Sequence, residues 1–166
     1  GEVPVDVMVA AAETGKKIGA QVVVNPAPVR EYPKELLKNV DVLVPNEHEA
    51  HELTGMTVDN MVDAVEAAQQ LQDRGPTCVI ITRGEKGAVW SSPEGSGQTS
   101  AFKVSAVDTV AAGDAFCGAL SAGLARGLSM AESLRWASAA GALAATGKGA
   151  VPSLPPLSLV TELLER

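Results

Sequence analysis

Three short β-branched runs, each stopped by a proline or a turn, constrain this chain more than any other feature. They are residues 20–24 (AQVVV), 40–44 (VDVLV) and 78–82 (CVIIT). Runs of this kind read as buried strands. Asn25-Pro26-Ala27-Pro28 ends the first and Pro45 ends the second, because proline cannot continue a central strand. Helical spacing of apolar residues marks 5–18, 46–53, 59–72, 113–125, 130–145 and 157–164. Gly19, Gly55, Gly75, Gly127 and Gly147 stand just past the ends of the first five. Strands alternating with helices predict an α/β fold with a mostly parallel sheet covered on both faces.

Further along, 84–87 reads as a tight turn. Residues 88–91 and 99–104 read as a pair of strands around a Gly/Ser loop. The pattern opens on a helix with no strand before it, although a parallel crossover needs one. The chain also starts at Gly1 rather than Met. The expectation is that upstream sequence belongs to the same fold. The open sheet edge left behind would favour self-association or marginal stability.

Composition narrows the function classes. The 13 basic residues are scattered and outnumbered by 20 acidic ones, for a formal net charge of -7. Nucleic-acid binding draws on clustered Lys and Arg that release counterions. Neither nucleic acid nor an anionic membrane is therefore an expected partner. No apolar run approaches the roughly 20 residues of a bilayer span. No basic stretch leads into an apolar one at the start, as in a signal peptide. Cys78 and Cys117 lie far apart in apolar settings. They read as buried thiols rather than as a disulfide framework or zinc site, and a cytoplasmic location is expected.

Three clusters could carry chemistry. In the first, Asp108-Thr-Val-Ala-Ala-Gly-Asp114, a loop of small residues runs into a helix N-terminus. Such a terminus offers unpaired N–H groups to a phosphate. Asp114 on that end can accept the proton of an attacking hydroxyl. The plainer alternative is an aspartate that stabilises its own helix. The second cluster, Pro45-Asn46-Glu47-His48-Glu49, follows a strand, where ligands bind in open α/β sheets. Asn and Glu oxygens suit magnesium, and a capping Asn with solvated glutamates is the alternative. His48 and His51 are three apart, not the four of a zinc-protease helix, and read as surface histidines. The third, Thr82-Arg83-Gly84-Glu85-Lys86-Gly87, is a phosphate-holding turn or a plain hairpin turn. There is no Walker loop and no G-x-G-x-x-G.

Taken together, these stretches resemble the ribokinase family of carbohydrate kinases. The resemblance is carried by Asn25–Pro28 (NPAP), 45–55 (PNEHEAHELTG), 82–88 (TRGEKGA), 107–120 (VDTVAAGDAFCGAL) and 147–155 (GKGAVPSLP), in the family's order and spacing. It implies a three-layer α/β/α, Rossmann-like sheet, with residues 1–166 as a single C-terminal nucleotide-binding domain. The family's N-terminal half and lid are missing from it. The implied reaction is ATP-dependent phosphorylation of a sugar hydroxyl, D-ribose to ribose 5-phosphate. Fructokinases and nucleoside kinases share much of the wording. A non-catalytic nucleotide-binding module is the reading from another class.

Carried over position by position, the resemblance implies Asp114 as the base. It makes the N–H groups of Ala111, Ala112 and Gly113 an anion hole. Asn46 and Glu49 fall in the magnesium and phosphate region, and Thr82, Arg83, Gly84, Glu85, Lys86 and Gly87 lie along ATP. Ser138 falls where an adenine or ribose contact is expected, and Glu2 where a glutamate touches the sugar. A potassium site would take Asp108 and Val110 on one side and Ala144, Gly147, Gly149 and Ser153 on the other. Family members are about twice this length. These residues alone are thus expected to be inactive towards sugar, and the full-length form is expected to be a homodimer.

Overall fold

The computed structural model describes residues 1–165. The chain forms two compact units. One is Gly1–Arg83 with Val89–Gln98, and the other is Gly84–Ala88 with the chain from Thr99 onward.

The first unit opens with α1 (Val5–Lys17), followed by β1 (Val23–Val24), α2 (Lys34–Leu37) and β2 (Val42–Leu43). Next come α3 (Glu47–Thr54), α4 (Met61–Gln72) and β3 (Cys78–Thr82). After a 3-10 turn at Gly84–Lys86 the hairpin strands β4 (Ala88–Ser92) and β5 (Gly95–Thr99) follow. The sheet order is β1-β2-β3-β4-β5. β1, β2 and β3 are parallel, with Val24 opposite Leu43 and Leu43 opposite Val79. The links from β3 to β4 and from β4 to β5 are too short for a parallel crossover. The sheet therefore continues as hairpins and is mixed.

Two regular strands are shorter than their apolar runs, because Pro26 and Pro45 interrupt the ladder at one end of each. The hairpin also differs from the 88–91 and 99–104 expectation. Its turn is Pro93-Glu94, and the second strand is the Gly/Ser stretch itself, Gly95–Thr99. Gly97 explains this choice, since a Cβ there would lie 2.9 Å from the Trp90 ring. Close approach of Trp90 outweighs the poor strand propensity of glycine and serine.

Leu43, Val79, Ile81 and Val89 join a core with Met8, Ala12, Leu36, Ala50 and the α4 residues Ala64, Ala67, Ala68 and Leu71. The α4 spacing puts one helical stripe on the core, and its alanines allow a close approach. The alternate strand residues Val42, Val44 and Ile80 are buried as well, so the strands are apolar on both faces. α3 and α4 start with capping boxes, Asn46 with Glu49 and Asn60 with Asp63.

The second unit holds α5 (Ala112–Ala125), α6 (Met130–Ala144), a 3-10 turn at Val151–Ser153, and α7 (Leu157–Leu164). Ala115, Ala139, Ala140, Ala144 and Val160 form its small core, with Phe102, Leu143 and Leu163 packed against them. α5 and α6 touch where Gly123 faces Ser133, and a Cβ on Gly123 would lie 2.8 Å from the Ser133 hydroxyl. Among the described residues, no helix is long and apolar enough to cross a membrane.

Candidate functional site

In the first unit, candidate residues gather at the ends of β2 and β3. The N–H of Thr82 donates to the Pro45 carbonyl at 2.9 Å, and Asn46 and Thr82 form a parallel bridge. The PNEHE and TRGEKG motifs therefore leave the sheet side by side. Asn46 Oδ1 accepts the N–H of Glu49 at 2.8 Å, and Glu49 Oε2 accepts the N–H of Asn46 at 2.7 Å. Asn46 is thus a helix cap, as the plainer reading had it, while Glu49 is buried. Arg83, expected along a nucleotide, is only 8% exposed. Its Nε donates to Glu47 Oε1 at 3.1 Å and its Nη2 to the Asp59 carbonyl at 3.4 Å.

Asn25 is a further polar group at this edge. Its Nδ2 donates to the Val44 carbonyl at 2.8 Å, fixing the end of β1 to the end of β2. The histidines are on the surface. His48 Nε2 meets Glu52 Oε1 at 2.8 Å, and His51 Nδ1 is 2.9 Å from the Met56 carbonyl. Among the described residues, no group of three or more His, Cys, Asp or Glu could hold a metal. Glu2 is exposed near the start of the chain.

The second unit carries the turn residues Gly84 and Gly87, both at positive φ, with Glu85 and Lys86 exposed between them. It also carries the loop 108–114. Ala111 is the one non-glycine residue at positive φ among the described residues, at φ 62. That left-handed turn feeds directly into α5, and Asp114 lies exposed in its first turn. The Ala112 N–H donates to the Thr109 carbonyl at 3.1 Å, and the Ala115 N–H to the Ala111 carbonyl at 2.9 Å. No backbone acceptor among the described residues takes the N–H groups of Ala111, Gly113 or Asp114. Of the three N–H groups expected in an anion hole, two thus stay open, and that of Ala112 is turned into the loop. A helix N-terminus with open donors and a positive dipole end favours an anion.

The two halves of the expected potassium site are neighbours. Asp108 Oδ1 accepts the N–H of Val110 at 3.0 Å and Oδ2 that of Gly149 at 3.0 Å. These bonds, Gly149's first and then Val110's, hold the Asp108 carboxyl below the usual carboxylate range. The Ala145 carbonyl accepts the N–H groups of Val107 and Asp108 at 2.8 and 3.2 Å. Ala144 accepts from Gly147 at 3.1 Å, and Gly147 packs so closely on Ser153 that a Cβ would lie 3.0 Å from the Ser153 Cβ. The donor set is carboxylate, carbonyl and hydroxyl oxygen throughout, which fits a hard cation. Ser138 is buried on α6.

The family model for the pfkB family carbohydrate kinases matches residues 1–157. The ribokinase of Haemophilus influenzae is 41% identical over 164 residues, covering 99% of this chain and 54% of that protein. The deoxyribokinase of Salmonella typhi is 38% identical over 164 residues, covering 98% and 54%. The structure of Arabidopsis thaliana ribokinase complexed with ribose and ATP superposes with a TM-score of 0.94 at 33% identity, covering 99% of this chain and 54% of that one. The chain spans about half the length of these relatives. The mixed five-stranded sheet with its helices is the α/β fold of the ribokinases. On the family match and these identities, the chain belongs to the pfkB family of carbohydrate kinases.

Proposed function

We propose that these residues form the nucleotide-binding, base-bearing C-terminal domain of an ATP-dependent sugar kinase that converts D-ribose to ribose 5-phosphate. The observation that carries this reading is the strained Ala111 turn, which opens two N–H donors onto the helix end that presents Asp114. Strain of this kind persists where the surrounding fold imposes it, and it clusters at functional sites.

In the proposed reaction, Asp114 accepts the proton of the sugar hydroxyl. The hydroxyl oxygen forms a bond to the γ-phosphorus as the bond from that phosphorus to the β–γ bridging oxygen breaks, and ADP leaves. The N–H groups of Ala111 and Gly113 stabilise negative charge on the transferring group, where such preorganised donors act most strongly. Asn46, Glu49, Thr82, the 84–87 turn and Ser138 line ATP, and Glu2 touches the sugar. Magnesium bound to the phosphates would neutralise their charge near Glu49. Potassium held by the Asp108, Val110, Ala144, Gly147, Gly149 and Ser153 oxygens would fix the 108–111 loop and add to the field at its donors.

Support for the acceptor comes from the relatives, of which one is a ribokinase and another a deoxyribokinase. The test is ADP release by the full-length protein with magnesium, potassium and ribose, deoxyribose, fructose or adenosine in turn. Ribose giving the highest kcat/KM supports the reading. Preference for another acceptor keeps the mechanism and changes the substrate. Nucleotide binding without turnover on any of them would favour a non-catalytic binding module.

A further inference from the structure

Arginine is seldom buried, and Arg83 is buried. It follows β3 directly, in a segment proposed to line ATP. Yet its guanidinium is committed elsewhere, to Glu47 at 3.1 Å and the Asp59 carbonyl at 3.4 Å. Glu47 is the first residue of α3, and Asp59 immediately precedes Asn60, the N-cap of α4. One planar fork therefore ties the end of β3 to the start of two helices. Lysine, a point charge on a flexible stem, cannot reproduce that geometry.

We propose that Arg83 is a positioning residue. It braces the α3 N-terminus, and with it Asn46 and Glu49, against Thr82 at the end of β3, and so sets the spacing of these nucleotide-lining residues. This rests on the nucleotide-kinase reading of the site. The backbone joins these strand ends through the β2–β3 pairing, the Thr82 N–H to Pro45 bond and the Asn46–Thr82 bridge, all near Asn46, the cap of α3. The Arg83 guanidinium adds a side-chain tie to Glu47, in the first turn of α3, and extends it to the Asp59 carbonyl before α4. Asn46 cannot supply it, because its side chain is held in the cap of its own helix.

A brace and a mere stabiliser make different predictions. Arg83 is buried and Glu47 partly so. Removing one partner leaves a buried charge unpaired and destabilises, whereas replacing both with neutral groups of similar size is often harmless to stability. In the full-length protein, Arg83→Met should raise KM for MgATP roughly tenfold while leaving kcat and KM for the sugar within about twofold. Arg83→Lys should recover part of that loss. The double variant Glu47→Gln/Arg83→Met should regain the parent melting temperature and keep the raised KM for MgATP, and it stays informative if Arg83→Met alone does not fold.

Nucleotide affinity measured calorimetrically on the same variants makes the result independent of turnover. A parent that binds ATP but phosphorylates no sugar would defeat the kinase reading, and the affinity shift would still test Arg83. Unchanged nucleotide affinity and KM in Arg83→Met, or full recovery of both in the double variant, would overturn the brace. A parent that binds no nucleotide would overturn both proposals.

Discussion

The carboxylate of Asp108 reaches across forty-one residues of sequence to accept the N–H of Gly149 at 3.0 Å, while its other oxygen holds Val110. One side chain thereby fixes both the loop that leads into α5 and the turn that follows α6.

The pH dependence of this clasp follows from its sign. The folded state holds the Asp108 carboxyl below its ordinary value, with the Gly149 N–H the larger cause. The contribution is therefore fully present above the ordinary carboxylate range and is lost as pH falls through the lowered value. Asp108→Asn should lose this component. Its urea midpoint should fall below the parent's at neutral pH and converge with it in acid. A midpoint difference that does not change with pH would contradict the assignment.

Gly87 is irreplaceable for two separate reasons. Its φ is 87, and a Cβ would lie 2.0 Å from the Thr99 carbonyl oxygen. Gly87→Ala should cost about 2–4 kcal/mol in denaturant unfolding, combining left-handed strain with overpacking. Gly84 has positive φ but open space around it. Gly84→Ala should therefore cost only about 1 kcal/mol.

Ser133 carries a buried hydroxyl with no hydrogen-bond partner among the described residues. Ser133→Ala should raise stability by about 1 kcal/mol, because the unmade bond disappears. Gly123→Ala should destabilise by about 1–3 kcal/mol, since its Cβ would press on that same hydroxyl. The double variant should recover part of the loss, and strict additivity in thermal unfolding would contradict this packing.

Much of the architecture was legible from punctuation and period. Glycine after the first five helical stretches placed those helices to within two residues, proline after the first two strand runs marked where they stop, and α7 matched its span of 157–164. Four features were not legible, each for a physical reason. The short helix Lys34–Leu37 is less than two turns, too short for a period to show. The strand Gly95–Thr99 has the composition of a loop, and only packing under Trp90 makes it a strand. The Arg83–Glu47 pair joins residues 36 positions apart, a pairing that no local pattern displays. The candidate loop at 108–114 was visible as small residues before a helix. The left-handed turn at Ala111 was not, since alanine is no marker of positive φ.

Cys78 should be inert in the native state. Burial pushes its thiol up to about 11, and the Glu94 charge adds to the effect. Only the thiolate reacts, so a thiol reagent at pH 8 should label Cys78 at the rate of unfolding. Cys117 is only partly buried and should label faster. Rapid native labelling of Cys78 would contradict its placement on β3.

The most direct test of the account is ribose-dependent ADP release by the full-length protein compared with its Asp114→Asn variant, with ATP affinity measured on both. Loss of a general base should lower kcat by about 10²–10⁴-fold with ATP affinity nearly unchanged. Turnover within a few-fold of the parent would show that Asp114 only stabilises its helix, and the proposed mechanism would fall.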